Sequence, residues 1–271
     1  MGYLFDPGNW EWVGAGRNMR FLLEGFLINL EIAVFAMLFS LIFGLMLALL
    51  ALSATRLIHG PAKTWIDVWR NLPLIFIIFY LFLGIPDGIR ESYERNVPGF
   101  LPEAFRSGAV LAAIIALTLY NSAVIAEIFR AGIKSLERGQ GEAAAALGLP
   151  YWKAMRLIIL PQGLRRMVPA TVSQLITLNK DTTLVSIITI QEVMRHGRIV
   201  TNTSGSPFTG TGVDAPILHV YIVIGAMFIV VNLLLSRLSK RLEIRERKRT
   251  GTTVSGPTGL EDQVALEADV T

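Results

Sequence analysis

At 271 residues, with 52% apolar side chains, 17% charged ones and a mean hydropathy of +0.52, the chain is too apolar for an ordinary soluble domain and belongs in a bilayer. Its formal net charge of +4 comes from Lys and Arg concentrated in connecting segments rather than in a basic domain, and no nucleic-acid partner is expected. It has no cysteine, which excludes disulfides, thiol catalysis and Cys-based metal sites. No catalytic residue and no metal site is read from the sequence.

A helix needs roughly 20 apolar residues to cross the hydrocarbon core. The first stretch that qualifies is 21–52. It is too long for a signal-peptide core, and no small-residue cleavage site follows before charged residues arrive, so it reads as a retained span. Glu31, with Asn29, lies toward its outer end, where a solvated or snorkelling role competes with substrate contact. The next stretch, 65–85, is strictly apolar only over 72–85. Trp65 and Trp69 extend it as interfacial anchors, which predicts a second span, with a re-entrant segment as the alternative.

Stretches 107–128, 167–190 and 217–235 complete a set of five spans. Positive charge in short loops sets their orientation. The segment 130–166 carries Arg130, Lys134, Arg138, Lys153, Arg156, Arg165 and Arg166 against Glu137 and Glu142, which places it in the cytoplasm. The loop after the second span is net acidic. The expected topology therefore has the N-terminus outside and the C-terminus inside, in a cell membrane.

The segment 130–166 contains Gly139-Gln140-Gly141-Glu142-Ala143-Ala144-Ala145-Ala146-Leu147-Gly148, then Ile158, Leu160 and Pro161. Glu142 is expected near the start of a short Ala-rich helix, where the helix dipole favours a carboxylate. Gly148 is expected to end it in the left-handed conformation, with Pro150 discouraging continuation. Small side chains let another protein approach the backbone closely. A second helix is predicted from Tyr151, with Trp152, Met155 and Ile159 at helical spacing, interrupted at Pro161.

Taken alone, four alanines would suggest only a filler helix. The full spacing resembles the Glu-Ala-Ala loop of ABC importer permeases: Glu-Ala-Ala, three residues, Gly, nine residues, Ile, one residue, Leu-Pro. The flanking words Ala126-Glu127-Ile128-Phe129-Arg130, Gly139-Gln140, Pro161-Gln162 and Lys180-Asp181-Thr182-Thr183-Leu184 are similar to those of the polar amino acid subfamily. One departure is Arg70-Asn71-Leu72-Pro73-Leu74, where that family usually has Arg-Gly-Thr-Pro-Leu.

The resemblance implies an all-α type I importer transmembrane domain whose Gly139, Gln140, Glu142, Ala143, Ala144, Leu147 and Gly148 contact cytoplasmic ABC ATPase subunits. It implies no cofactor on this subunit, with ATP and Mg bound by the partner ATPase. An external solute-binding protein and a second permease, a copy or a relative, are the other partners, beside the lipid bilayer. The chain lacks a Gly-x-x-x-x-Gly-Lys-Ser/Thr phosphate loop of its own.

Charge in the middle of a bilayer costs on the order of 3 kcal/mol, so it is rarely there without a reason. The fourth span holds Asn179-Lys180-Asp181 near mid-depth, with Thr183 on the same polar side. Neighbouring residues stand about 100° apart on a helix, so Lys180 and Asp181 need separate partners. One of them contacting a zwitterionic amino acid, or both tying helices together, are the competing readings. Glu127 and Arg130, three apart, suit a structural ion pair. Arg195, His196 and Arg198 follow the fourth span on the outer side. If they and Lys180 face the pathway, an acidic amino acid such as glutamate is favoured.

In domain terms, 1–238 is the transmembrane permease domain, with the coupling loop at 130–166. Residues 239–271 are a basic, then acidic and polar, cytoplasmic tail expected to be disordered. A secondary transporter or channel is the alternative function, but no internal repeat is visible and the loop spacing has no explanation on that reading. A non-transporting scaffold would leave the polar residues at mid-depth unexplained.

Overall fold

A computed structural model describes residues 2–14, 17–99, 101, 103–136, 138–202 and 215–250. Every regular element among the described residues is helical. Three helices among the described residues are long enough and contain a window apolar enough to cross a membrane: α1 (Asn18–Ala51), α5 (Gly108–Lys134) and α9 (Ile217–Thr250). A bent pair, α2 (Arg56–Asn71) and α3 (Leu74–Gly84), passes the same test only when taken together. The predicted stretch 167–190 falls in α7 (Leu160–Asp181) and a 3-10 turn, Thr182–Ile188.

The stretch 65–85, read as a span with a re-entrant segment as the alternative, is a bent pair in which α2 and α3 meet at 101°. Pro73 is the cause. Its ring excludes the helical conformation from the preceding residue, and Leu72 is extended at φ −80, ψ 134. Asn71 closes the end of α2 by donating its side-chain amide to the Asp67 carbonyl at 2.7 Å. With 11 residues, α3 is about 16 Å long, half the hydrocarbon thickness.

Glycines set how closely the helices approach. A Cβ on Gly44 of α1 would lie 2.6 Å from Ile125 Cγ2 of α5 and 3.0 Å from the Ser122 carbonyl. With Ser40 Oγ donating to the Thr118 carbonyl at 3.4 Å, this fixes α1 and α5 as a parallel central pair. The antiparallel α7 packs Met167 over Gly132 and seats its own Gly163 against Ile133. It is tied to α9 by Ser239 Oγ, which donates to the Pro169 carbonyl at 3.0 Å.

Two further helices cap one end: α4 (Asp87–Asn96) and α8 (Val193–Asn202). Glu94 accepts from the first amide of α5, Gly108 N–H, at 2.8 Å. Gly25 of α1 and Gly197 of α8 admit His196 and Ile224 respectively. The N-terminal turns fold onto the same end, with Trp12 fully buried and Tyr3 and Trp10 edge-on to His219. The other end carries the outlets of α1, α5 and α9.

The stretch 239–250, expected to be disordered, continues α9 as helix to Thr250. The rest of the expected tail, 251–271, lies outside the described residues.

Candidate functional site

Between α5 and α7, Arg138–Ala146 forms a short helix, α6. Its C-terminus is a complete Schellman arrangement: Leu149 N–H donates to Ala144 O at 3.0 Å and Gly148 N–H to Ala145 O at 2.9 Å. Gly148 has φ +73 and nothing within 4 Å of where a Cβ would sit. The helix starts earlier than the sequence suggests. Glu142 is its fifth residue, so the dipole at the N-terminus does not account for this carboxylate.

Ala144 is buried, on the side of α6 that meets the Tyr151–Ile159 segment, whereas Glu142, Ala143, Ala145, Ala146 and Leu147 are exposed, Leu147 at 77%. Two bonds brace the loop to α7: Gln162 Nε2 donates to Gln140 Oε1 at 3.4 Å, and Arg166 donates to the Ser135 carbonyl at 3.0 Å. Gly139 lies within α6. The result is a supported ledge of small side chains with one face open.

The expected interruption at Pro161 is absent. A helical turn, Tyr151–Ala154, widens into a π turn, Met155–Ile159, which runs straight into α7. Leu160 N–H bonds to the Met155 carbonyl, five residues back. The wider turn accommodates a proline that has no N–H and would crowd the previous turn of an ordinary helix.

The Asn179-Lys180-Asp181 triplet closes the α-helical part of α7, rather than sitting midway along it. There the hydroxyls of Thr182 and Thr183 take up the carbonyls of Asn179 and Lys180 at 2.7 and 2.8 Å as the helix tightens. Asn179 is buried and donates to Asn232 Oδ1 of α9 at 3.0 Å. Lys180 is exposed, with Asp181 and Thr183 half-buried. The exposed Ser173 and Thr177 continue the Lys180 face toward α6, one helical turn apart. Glu31 is half-buried on α1.

Glu127 and Arg130 are paired, Arg130 Nε donating to Glu127 Oε2 at 2.8 Å. The sequence reading missed a third member: Arg70 of α2 approaches the other carboxylate oxygen at 3.5 Å. Glu127 thus ties α5 to α2 beside the bend. Nothing in local spacing links positions this far apart.

Of Arg195, His196 and Arg198, Arg198 is exposed, while His196 is buried and stacked on Phe21 at 3.8 Å. Its Nδ1 lies 2.6 Å from the Phe21 carbonyl, which requires the proton on Nδ1. Burial holds the His196 pKa below the usual histidine range, partly opposed by that carbonyl and by Glu24. A further residue missed from sequence is Glu192, fully buried, which caps α8 by accepting from Arg195 N–H at 2.8 Å. The signal for it was a carboxylate three positions before Arg195 at a helix start. Among the described residues, no group of three His, Asp or Glu side chains could hold a metal.

Residues 15–248 match the family described as binding-protein-dependent transport system inner membrane component. The chain is 34% identical to a probable glutamine ABC transporter permease protein, GlnP, of Bacillus subtilis, over 87% of this chain and 99% of that one. It is also 34% identical to the glutamate/aspartate import permease protein GltK of Escherichia coli, over 72% of this chain and 84% of that one. Among solved structures, an amino acid ABC transporter crystallised with histidines superposes with a TM-score of 0.67 at 28% identity, over 84% of this chain and 94% of that one. The inward-facing MetNI methionine ABC transporter, at 16% identity and a TM-score of 0.62, covers 84% and 97% and shares the fold.

Proposed function

The chain belongs to the binding-protein-dependent transport system inner membrane component family, and on that premise we propose that it moves a polar amino acid, with glutamate as the favoured cargo, driven by ATPase subunits that grip α6. At the coarser level it is a multi-pass membrane permease of the amino-acid ABC importer type.

The observation that carries the finer reading is the open face of α6. A nine-residue helix with Ala144 turned inward, a Schellman end and a bond from Gln140 to Gln162 of α7 is built to bear load, yet leaves Ala143, Ala145, Ala146 and Leu147 exposed among the described residues. A rigid ledge of that kind suits a groove on a moving partner. The ledge side is then cytoplasmic, the α4 and α8 end faces outward, and a solute-binding protein delivers the amino acid there. A second permease, a copy or a relative, completes the pathway.

Lys180 supports an anionic cargo. It is the exposed cation on the Ser173, Thr177 and Lys180 face of α7, and a substrate carboxylate is its natural partner. Asp181 and Thr183, half-buried beside it, are placed to meet the ammonium and hydroxyl-bonding groups of an amino acid, with Glu31 as a further acceptor. Asn179 serves by holding α7 to α9.

Uptake by reconstituted vesicles tests this directly. Transport is expected to require ATP, an ATPase subunit and a binding protein together, and gradient-driven uptake by this chain alone would replace it with a secondary transporter.

A further inference from the structure

The buried apolar side chains of the described residues fall into two separate clusters. The larger fills the bundle and includes Ile32, Ile77, Leu117, Ile125, Leu178 and Ile188. The smaller sits at the capped end, where Trp12, Leu22 and Phe26 meet Val193, Val200 and Ile224. The buried apolar residues of α8, Val193 and Val200, both belong to the second. Along α1 the seam between the clusters falls between Phe26 and Ile32, and along the connection from α7 to α8 it falls between Ile190 and Val193.

The seam is polar. Asn29 lies on it and bonds to Thr182 and Glu192 on the way from α7, and to the backbone of Val193, the first residue of α8. All three partners are fully buried. Parting the seam would return the Glu192 carboxylate to water, which favours its charge, so the Asn29 bonds work against a group that gains by leaving.

Beside the seam stands a strained residue. Thr189 has φ +67, the one non-glycine in the left-handed region among the described residues, where a β-branched side chain is strongly disfavoured. Its side chain is exposed, and the conformation is held by the burial of Ile188 and Ile190 on either side. Residues 189–192 belong to no helix, so they form the flexible link into α8.

We propose that α8 is a lid that swings about Thr189, is latched shut by Asn29, and carries at its hinge a strain that favours opening. Because latch and strain oppose each other, an input that breaks the Asn29 bonds has less left to overcome. That the lid covers the entry side of the permease rests on the orientation proposed above, whereas hinge and latch stand on the seam alone.

The chain has no cysteine, so a single introduced thiol reports opening. Val200→Cys places it in the smaller cluster and Val110→Cys in the larger one, both at buried positions. The full chain in detergent is treated with a maleimide that reacts slowly against reclosing, so that the labelling rate reads the open fraction. Without a sealed membrane the result does not depend on which end faces outward. Asn29→Ala is expected to speed labelling at position 200 roughly tenfold or more and to leave position 110 unchanged. Thr189→Asn, which accepts the left-handed region at an exposed site, is expected to slow labelling at position 200 roughly threefold to tenfold.

Asn29→Ala that leaves position 200 unchanged, or that speeds both positions alike, would overturn the proposal. So would Thr189→Asn that speeds labelling at position 200 or leaves it as it was, and this variant decides the question even if Asn29→Ala fails to fold.

Discussion

Asn29 on α1 holds the buried carboxylate of Glu192 across more than half the sequence. Its Nδ2 donates to Glu192 Oε2 at 3.0 Å and to Thr182 Oγ1 at 3.1 Å, and its carbonyl oxygen accepts from Val193 N–H at 3.1 Å. One side chain therefore joins α1, the end of α7 and the start of α8. Asn29→Ala is expected to lower stability by about 1.5–3 kcal/mol, because it leaves a buried carboxylate short of a donor. Thermal unfolding in detergent measures this. Glu192→Gln, which keeps an acceptor for Arg195 N–H, should be milder; if it proved the more damaging of the two, Asn29 would not be the organising residue.

Gly148 separates the conformational demand of α6 from the contact it makes. Its φ of +73 costs an ordinary residue about 1–2 kcal/mol, too little to unfold the chain. Its Cβ direction meets open space. Gly148→Arg is therefore expected to leave an inserted, folded permease that no longer co-purifies with the ATPase. Gly148→Asn, which tolerates the left-handed region, should retain more of it. Stoichiometric co-purification and normal transport by the Arg variant would remove α6 from the coupling role.

Lys180→Ala should reduce substrate-stimulated ATPase activity of the assembled complex by roughly tenfold to a hundredfold, the worth of one charge-assisted bond. Assembly should be unaffected, since Lys180 is exposed while Asn179 makes the bond to α9. Unchanged stimulation would return Lys180 to a purely structural role.

Two close glycine crossings should respond differently to the same change. At Gly132 an added methyl meets Met167, a flexible side chain that can swing aside. At Gly44 it meets the β-branched Ile125 and the Ser122 backbone. Gly44→Ala is expected to cost about 1–3 kcal/mol and Gly132→Ala clearly less. Denaturation of the two variants side by side checks the order.

His196 makes the docking of α8 on α1 sensitive to acid. Its folded pKa is depressed by burial, so below about pH 6.5 the unfolded segment binds a proton that the docked one resists. Stability from this group is fully present above that pH and declines as pH falls through the interval beneath it. Glu192, also in the connection between α7 and α9, acts in the opposite sense at lower pH, because burial raises its carboxyl pKa. Once the intrinsic slowing of amide exchange in acid is allowed for, protection of the α8 amides should fall from pH 7.5 to pH 6, and His196→Gln should flatten that dependence.

The short helix ending at Gly148 was legible in the sequence because its information is local. Glu142, Gly148 and Pro161 lie at fixed separations, and a left-handed glycine needs no distant partner. The bend at Leu72-Pro73 was half legible: a proline announces a break, but its 101° angle depends on packing against α5. The continuity through Pro161 was not legible, because a π turn is chosen by its surroundings while proline by itself signals an end. Glu192 and Arg70 were overlooked for a related reason, since their partners Asn29 and Glu127 are neighbours only after folding.

The π turn before Pro161 has a mechanical meaning. Because it joins Tyr151–Ala154 to α7 without a break, helical backbone of roughly 45 Å runs from the foot of α6 to Lys180, with Pro169 leaving one ladder bond unmade on the way. A tilt imposed at the foot is carried toward the far tip, with Pro169 as the weakest point between them. If α6 is the handle proposed above, softening that stretch partway, without touching either end, would uncouple fuel consumption from cargo movement.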